Sequence, residues 1–166
     1  MSEDNSQLIL DSLHGTLSPL LAIEPEGVNT FQEEGGWEAI EMAVDSGATE
    51  TVVSDEMLTS VRIKESVGSK RGVEYEVANG IRIPNMGQKK FVGVSDEGTT
   101  RTITAQVCDV NKPLLSVKKV MSAGNRVVFD DEGSFIEDKV TKEPMWLTEQ
   151  HGMFMLKMWV QKDSTF

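Results

Sequence analysis

Cysteine, histidine and positive charge are scarce in this chain where they would be most telling. There is one cysteine, Cys108, so an internal disulfide is excluded. It lies in the run Ile103-Thr104-Ala105-Gln106-Val107-Cys108-Asp109-Val110, which reads as a strand. A small buried thiol fits there better than a nucleophile. The two histidines, His14 and His151, are distant in sequence from each other and from Cys108. No Cys/His cluster has zinc-ligand spacing, so neither a metal nor any other cofactor is expected. No Lys or Arg occurs before residue 45, and no basic patch points to nucleic acid as a direct partner. The sequence also lacks an Asn-x-Ser/Thr sequon, a signal peptide and an apolar stretch of membrane-spanning length. It reads as an intracellular chain, cytoplasmic or nuclear, with no membrane partner. No internal repeat is present.

What is there suffices for one domain with tails: 166 residues, 39% of them hydrophobic. The net charge of −11 is unevenly spread. Residues 1–44 carry nine acids and no base, whereas residues 45–166 carry the remaining 18 acids against all 16 bases. The acidity therefore belongs to the N-terminal part, which reads as a solvated tail. Within it, residues 6–21 have apolar residues compatible with a short helix, limited by Pro19. Residues 24–36 have linker composition, ending in Gly35-Gly36. The expected organisation is a flexible acidic leader over 1–36, a folded domain over 37–129 and a C-terminal β extension over 130–166, packed on that domain.

From Trp37 onward the pattern is that of strands. The run from Trp37 to Val44 is the first, and β-branched Thr51-Val52-Val53 the next. Residues 55–61 are ambiguous and compatible with a helical turn. Val73, Tyr75 and Val77 alternate with Glu74 and Glu76, and Asn79-Gly80 then gives a strong hairpin signal before Ile81-Arg82-Ile83. A second hairpin is expected over 91–110, a helix over 117–123 stopped by Gly124, a strand over 126–129, and a last hairpin around 149–152. Short strands at roughly ten-residue spacing predict an all-β barrel or sandwich.

One tetrapeptide stands out. The apolar run Ala39-Ile40-Glu41-Met42-Ala43-Val44 leads directly into Asp45-Ser46-Gly47-Ala48. A strand delivering Asp-Ser-Gly-Ala into a tight turn resembles the active-site signature of aspartic proteases. In such a turn the aspartate needs a rigid mount, the Ser46 hydroxyl can hold the turn in register, and Gly47 permits close backbone approach. Three further elements follow in order: the Asn79-Gly80 hairpin, the hairpin over 91–110, and Leu114-Leu115-Ser116-Val117 with a helix and Gly124-Asn125-Arg126-Val127-Val128-Phe129. Together they resemble the retropepsins, the single-lobed proteases of retroviruses and retrotransposons, and most closely those of copia-type polyproteins. The resemblance covers residues 37–129, and residues 130–160 more loosely.

The resemblance implies a retropepsin-like closed barrel with one short C-terminal helix, to which this chain adds a C-terminal β-hairpin. It implies Asp45 as the catalytic residue, Ser46, Gly47 and Ala48 as its support, and Val77, Ala78, Asn79, Gly80 and Ile81 as a flap over substrate. There is no second Asp-Ser/Thr-Gly, so the second carboxylate must come from another copy. A homodimer cutting an extended peptide, such as its own polyprotein, is the implied activity. The chain departs from the family in having Ser116-Val117 where retroviral enzymes have Gly-Arg, Thr49-Glu50 after the alanine where they have Asp, and 37 residues after Phe129. Those departures keep two other expectations open: a catalytically silent peptide-binding or dimerisation module of the same fold, and a structural domain in which Asp45-Ser46-Gly47 is a plain turn.

Overall fold

The computed structural model describes residues 31–34, 36–76 and 80–162. It is predominantly β, with one large mixed sheet and one small hairpin. The strands are β1 (Phe31–Glu34), β2 (Trp37–Asp45), β3 (Val52–Val53), β4 (Glu74–Glu76), β5 (Arg82–Pro84), β6 (Gly87–Val94) and β7 (Thr100–Val107). They continue with β8 (Leu114–Ser116), β9 (Asn125–Val128), β10 (Ser134–Asp138), β11 (Pro144–Gln150) and β12 (Met153–Gln161). Two short helices complete the set, α1 (Val67–Lys70) and α2 (Val117–Ser122).

The central strand is β2, and both of its edges are used. β12 runs antiparallel along one edge, from Trp37↔Gln161 to Ala43↔Met155. The other edge takes β1 over Trp37–Ile40 and then β8, parallel, over Ala43–Asp45. The pairings continue from β8 to β3, β7, β6 and β12, and so return to β2. Two links in this circuit are narrow: Val52↔Leu114 alone joins β3 to β8, and two residue pairs join β12 to β6. β11, β10 and β9 extend the sheet from β12.

The core follows from the two-residue period of a strand. On β2, Ile40 and Met42 belong to one buried cluster and Ala43 to a second. The same division runs through β12 (Leu156 and Met158 against Met155), β8 (Leu115 against Leu114) and β3 (Val53 against Val52). Each of these strands is therefore apolar on both faces, which explains the near-continuous hydrophobic runs. Burying each such side chain stabilises by about 1.5–3 kcal/mol, so these four strands supply much of the driving force.

Two polar devices hold the loops to this frame. Lys89 is buried on β6, and its ammonium donates to the carbonyls of Asp55, Met57 and Leu58 at 3.1, 2.9 and 3.2 Å, with the Asp55 carboxylate at 3.7 Å. Burial pulls its pKa below the usual lysine value, against the opposing pull of Asp55. The segment it holds has turns rather than the helical turn compatible with residues 55–61, and Leu58 has a left-handed φ of 54°. Such strain costs about 1–3 kcal/mol; full burial of the Leu58 side chain and three charge-assisted bonds offset it.

The second device is Asn85. Its Oδ1 accepts from Ser66 Oγ (3.1 Å) and Gly87 N (2.9 Å), and its Nδ2 donates to Tyr75 Oη (3.1 Å) and Gln106 Oε1 (2.9 Å). One side chain thus ties together the β4–β5 hairpin, α1, β6 and β7. Ser66 also caps α1. Gly87 has φ +138°, and a Cβ there would meet the Lys64 carbonyl oxygen at 2.5 Å; only glycine fits.

The structure departs from the sequence expectations in three places. Phe31–Glu34, placed in the leader, pairs with β2. α1 is a second helix beyond the one expected. The C-terminal segment does contain the expected hairpin, closed by His151 and Gly152 with φ of 52° and 80°, a two-residue turn of the primed type. Its second strand, however, is not laid on a finished domain: β12 sits between β2 and β6. The possible helix within 6–21 lies outside the described residues. No helix among those described is long and apolar enough to cross a membrane.

Burial of Tyr75 pushes its phenol from 10.0 up to about 12, with the Asn85 bond as a smaller opposing influence. Because the folded-state value is raised, this contribution to stability is complete below pH 10 and is lost as pH rises from 10 to 12. Tyr75 is the only tyrosine, so phenolate absorbance reads it alone. A midpoint near 12 is expected in the folded protein, and a midpoint at the ordinary value contradicts the buried hub.

Candidate active site

Asp45 is the last residue of β2, and its position follows from that strand being gripped on both edges. Parallel pairing with β8 sets Asp45 opposite Ser116. Asp45 is 8% exposed, and its Oδ1 accepts from Gly47 N at 2.8 Å. The turn that follows places Ser46 outside, Gly47 half-buried and Ala48 buried.

Within the chain, the hydroxyl of Ser116 bonds directly to this turn. Ser116 is fully buried. Its Oγ donates to the Ala48 carbonyl at 2.6 Å and accepts from Lys119 N at 3.1 Å, capping α2. Its own N–H donates to Thr51 Oγ1 at 3.1 Å. One residue therefore joins the Asp45 turn, β8 and the start of α2. A serine just before a helical run is a readable N-cap signal, and that signal could have named Ser116 as a support residue.

The residues after Ala48 also turn inward. Thr49 and Thr51 are buried, and Glu50 reaches Lys119 on α2 at 3.5 Å. That pair is half-exposed and contributes at most about 1 kcal/mol. The bonds of Ser116 outweigh it.

Asp45, Ser46 and Val44 line a groove of ≈310 Å³ whose other wall is Phe129, Gly152, Met153 and Phe154. The rings of Phe129 and Phe154 lie 5.0 Å apart, and Phe129 is 44% exposed. These wall residues come from β12, the turn before it and the segment after β9. Sequence reading missed them, because it treated residues 130–166 as an addition and Phe129 as a strand end.

The β4–β5 hairpin lies toward the same face of β2. Ala43 and Asp45 share a face by strand alternation, and Tyr75 and Ile83 pack in the buried cluster that contains Ala43. Of the expected flap residues, Val77, Ala78 and Asn79 lie outside the described residues. Gly80 has φ +83° and Ile81 is 56% exposed. Cys108 is fully buried in that cluster, and burial pushes its thiol up to about 12, so it stays protonated and unreactive. Among the described residues no group of three or more His, Cys, Asp or Glu could hold a metal ion.

No family model, no curated protein and no solved structure matches this chain. The site is therefore read from its geometry: a single buried carboxylate on a braced turn, beside an apolar groove, on the strand face toward which a hairpin packs. Such an arrangement can hold a water or a peptide carbonyl against one carboxylate.

Ser116→Ala removes a helix cap, worth about 1 kcal/mol, and leaves the Ala48 carbonyl without its donor, costing about 1–3 kcal/mol more. A loss of about 2–4 kcal/mol in urea unfolding is expected. A loss below about 0.5 kcal/mol would contradict the bracing role.

Proposed function

We propose that this protein is an aspartic endopeptidase of retropepsin-like closed-barrel fold, active as a homodimer in which Asp45 of each copy meets the other. The observation that carries the reading is Asp45 itself: a carboxylate at the end of a doubly gripped strand, held by Gly47 N–H and braced through Ala48 by Ser116. The β2–β8–β3–β7–β6–β12 circuit supports the barrel. The β4–β5 hairpin supports the flap.

The chemistry requires two carboxyls about 3 Å apart, which share one proton because both cannot ionise at that distance. The ionised member takes a proton from water. The protonated member donates to the scissile carbonyl oxygen. Ser46, exposed in the single chain, is then free to bond across the two-fold axis. The substrate adds as an extended strand beneath the hairpin, and closure excludes water from the pair. Residues Leu8-Ile9-Leu10 and Leu20-Leu21, outside the described region, supply apolar candidate sites for self-processing within a polyprotein inside the cell.

A second reading is a peptide-binding or dimerisation module that does not cut. It is favoured by the way β12 takes the edge of β2 from Trp37 to Ala43, which leaves no open edge on that stretch for a partner. The dimer of the first reading has to form through other surfaces.

The test is peptide cleavage by the parent and by Asp45→Asn at mildly acidic pH, with mass spectrometry of the protein's own N-terminus. The parent is expected to cut both, and Asp45→Asn to cut at least about a hundredfold more slowly with unchanged melting. Equal cleavage by the two proteins, or no cleavage and an intact N-terminus in the parent, would overturn the proposal. Sedimentation separates the readings: a strict monomer supports the module.

A further inference from the structure

β7 is paired along the whole of one edge and along a short stretch of the other. Its β6 edge is matched from Thr100↔Val94 to Val107↔Gly87. On the opposite edge β3 covers Gln106 and Val107 alone, because β3 is itself only Val52–Val53. Among the described residues no strand pairs with Thr100–Ala105 on that side. Gln106 N donates to Thr51 O at 2.8 Å, away from β6. Backbone groups alternate in direction along a strand, so Thr102 and Thr104 also turn their N–H and C=O to the unpaired side. The Thr100 carbonyl is taken by Arg101 Nη1 at 2.7 Å. The open stretch is therefore Thr102–Thr104, and both threonines are exposed.

A cavity of ≈460 Å³ opens beside this stretch, and it shares no lining residue with the groove at Asp45. Thr102, Ile103 and Thr104 line it from β7, Val120 lines it from α2, and the core side chains Ile136 and Leu156 lie behind them. α2 packs on β8 and β9 rather than on β7, so the strand position between α2 and β7 is unfilled. The space exceeds a single water many times over, since one water takes about 30 Å³ of liquid volume. The charged residues on its lining are two of each sign and already stand as pairs, Glu50 with Lys119 at 3.5 Å and Arg101 with Asp138 at 3.6 Å. A further charge brought here would give up water and find each partner engaged, so the site favours an uncharged occupant.

We propose that this gap is a docking site for an extended, uncharged segment of another polypeptide with aliphatic residues at alternate positions. The segment adds to β7 as a strand, pairing with the backbone of Thr102 and Thr104. Ile103, between those threonines, packs on the main core cluster, so the side chains of the added strand that share its face enter the cavity. Main-chain pairing holds the segment, and the cavity selects what it carries. The site stands whatever happens at Asp45.

The probe is acetyl-Thr-Ile-Thr-Ile-Thr-amide, added to the full chain and followed by NMR. Before it is added, the amides of Thr102 and Thr104 are expected to exchange faster than that of Ile103, which pairs with Phe91 of β6. The peptide is expected to protect both threonine amides saturably and to shift the Met145 and Met158 methyls in the cavity, with Met153 in the Asp45 groove unmoved. Aspartate in place of both isoleucines is expected to weaken binding at least about tenfold. Two N-methylated peptides, one methylated at the isoleucines and one at the threonines, are expected to differ at least about tenfold, because only alternate N–H groups face β7. Thr102→Pro removes a donor on the open edge alone and is expected to lose the peptide. If that variant fails to fold, the N-methyl pair on the parent decides. Equal binding of the two N-methyl peptides overturns the proposal and leaves apolar filling without strand addition. Absence of protection and shifts, or a shift at Met153 instead, overturns it too. Protection already present without peptide also overturns it, assigning the edge to a second copy if dilution removes the protection and to residues 1–30 of the same chain if it does not.

Discussion

The buried hydroxyl of Ser116 is the contact on which the candidate site depends. It holds the Ala48 carbonyl on one side and the first turn of α2 on the other, while its strand pairs with the end of β2. Without it, the turn after Asp45 would lose its tie to α2. A catalytic carboxylate must be held to a fraction of an ångström, and a turn restrained from both directions meets that demand better than surface ion pairs such as Glu50–Lys119.

The frame around that junction is a strand paired along most of both edges. β2 is covered by β12 along one side and by β1 and β8 along the other, and both of its faces are apolar. The C-terminal segment is consequently part of the fold's centre, and it reaches the site through Met153 and Phe154. Truncating it would uncover an edge of β2 and remove a wall of the groove at once. The same arrangement leaves no open strand edge on the β12 side of β2 from Trp37 to Ala43. The exposed aromatics Trp37, Phe129 and Trp146 mark where apolar surface is available.

Local pattern made much of this legible. The run into Asp45, the alternation around Tyr75, the helix between Ser116 and Gly124, and the hairpin closed by His151-Gly152 are all short-range signals, and the observed elements coincide with them closely. What sequence concealed was order in space. Nothing in Met153–Gln161 says that it lies between β2 and β6, because a strand buried on both faces reads alike wherever it sits. Phe31–Glu34 was hidden by its neighbours Gly35-Gly36, whose linker character masked a short pairing segment. No short-range pattern marks the burial of the charged side chains Lys89 and Glu38, Lys89 on loop carbonyls and Glu38 on Ser60 Oγ at 2.6 Å. The walls of the groove, Phe129 and Phe154, were invisible for the same reason as β12.

The decisive quantity is the separation of the two Asp45 carboxyls in a crystal of the protein grown with a statine-type transition-state mimic. The account predicts two copies with those carboxyls about 3 Å apart, bracketing the mimic's hydroxyl. Carboxyls far apart, or a mimic bound to a lone chain, would contradict it.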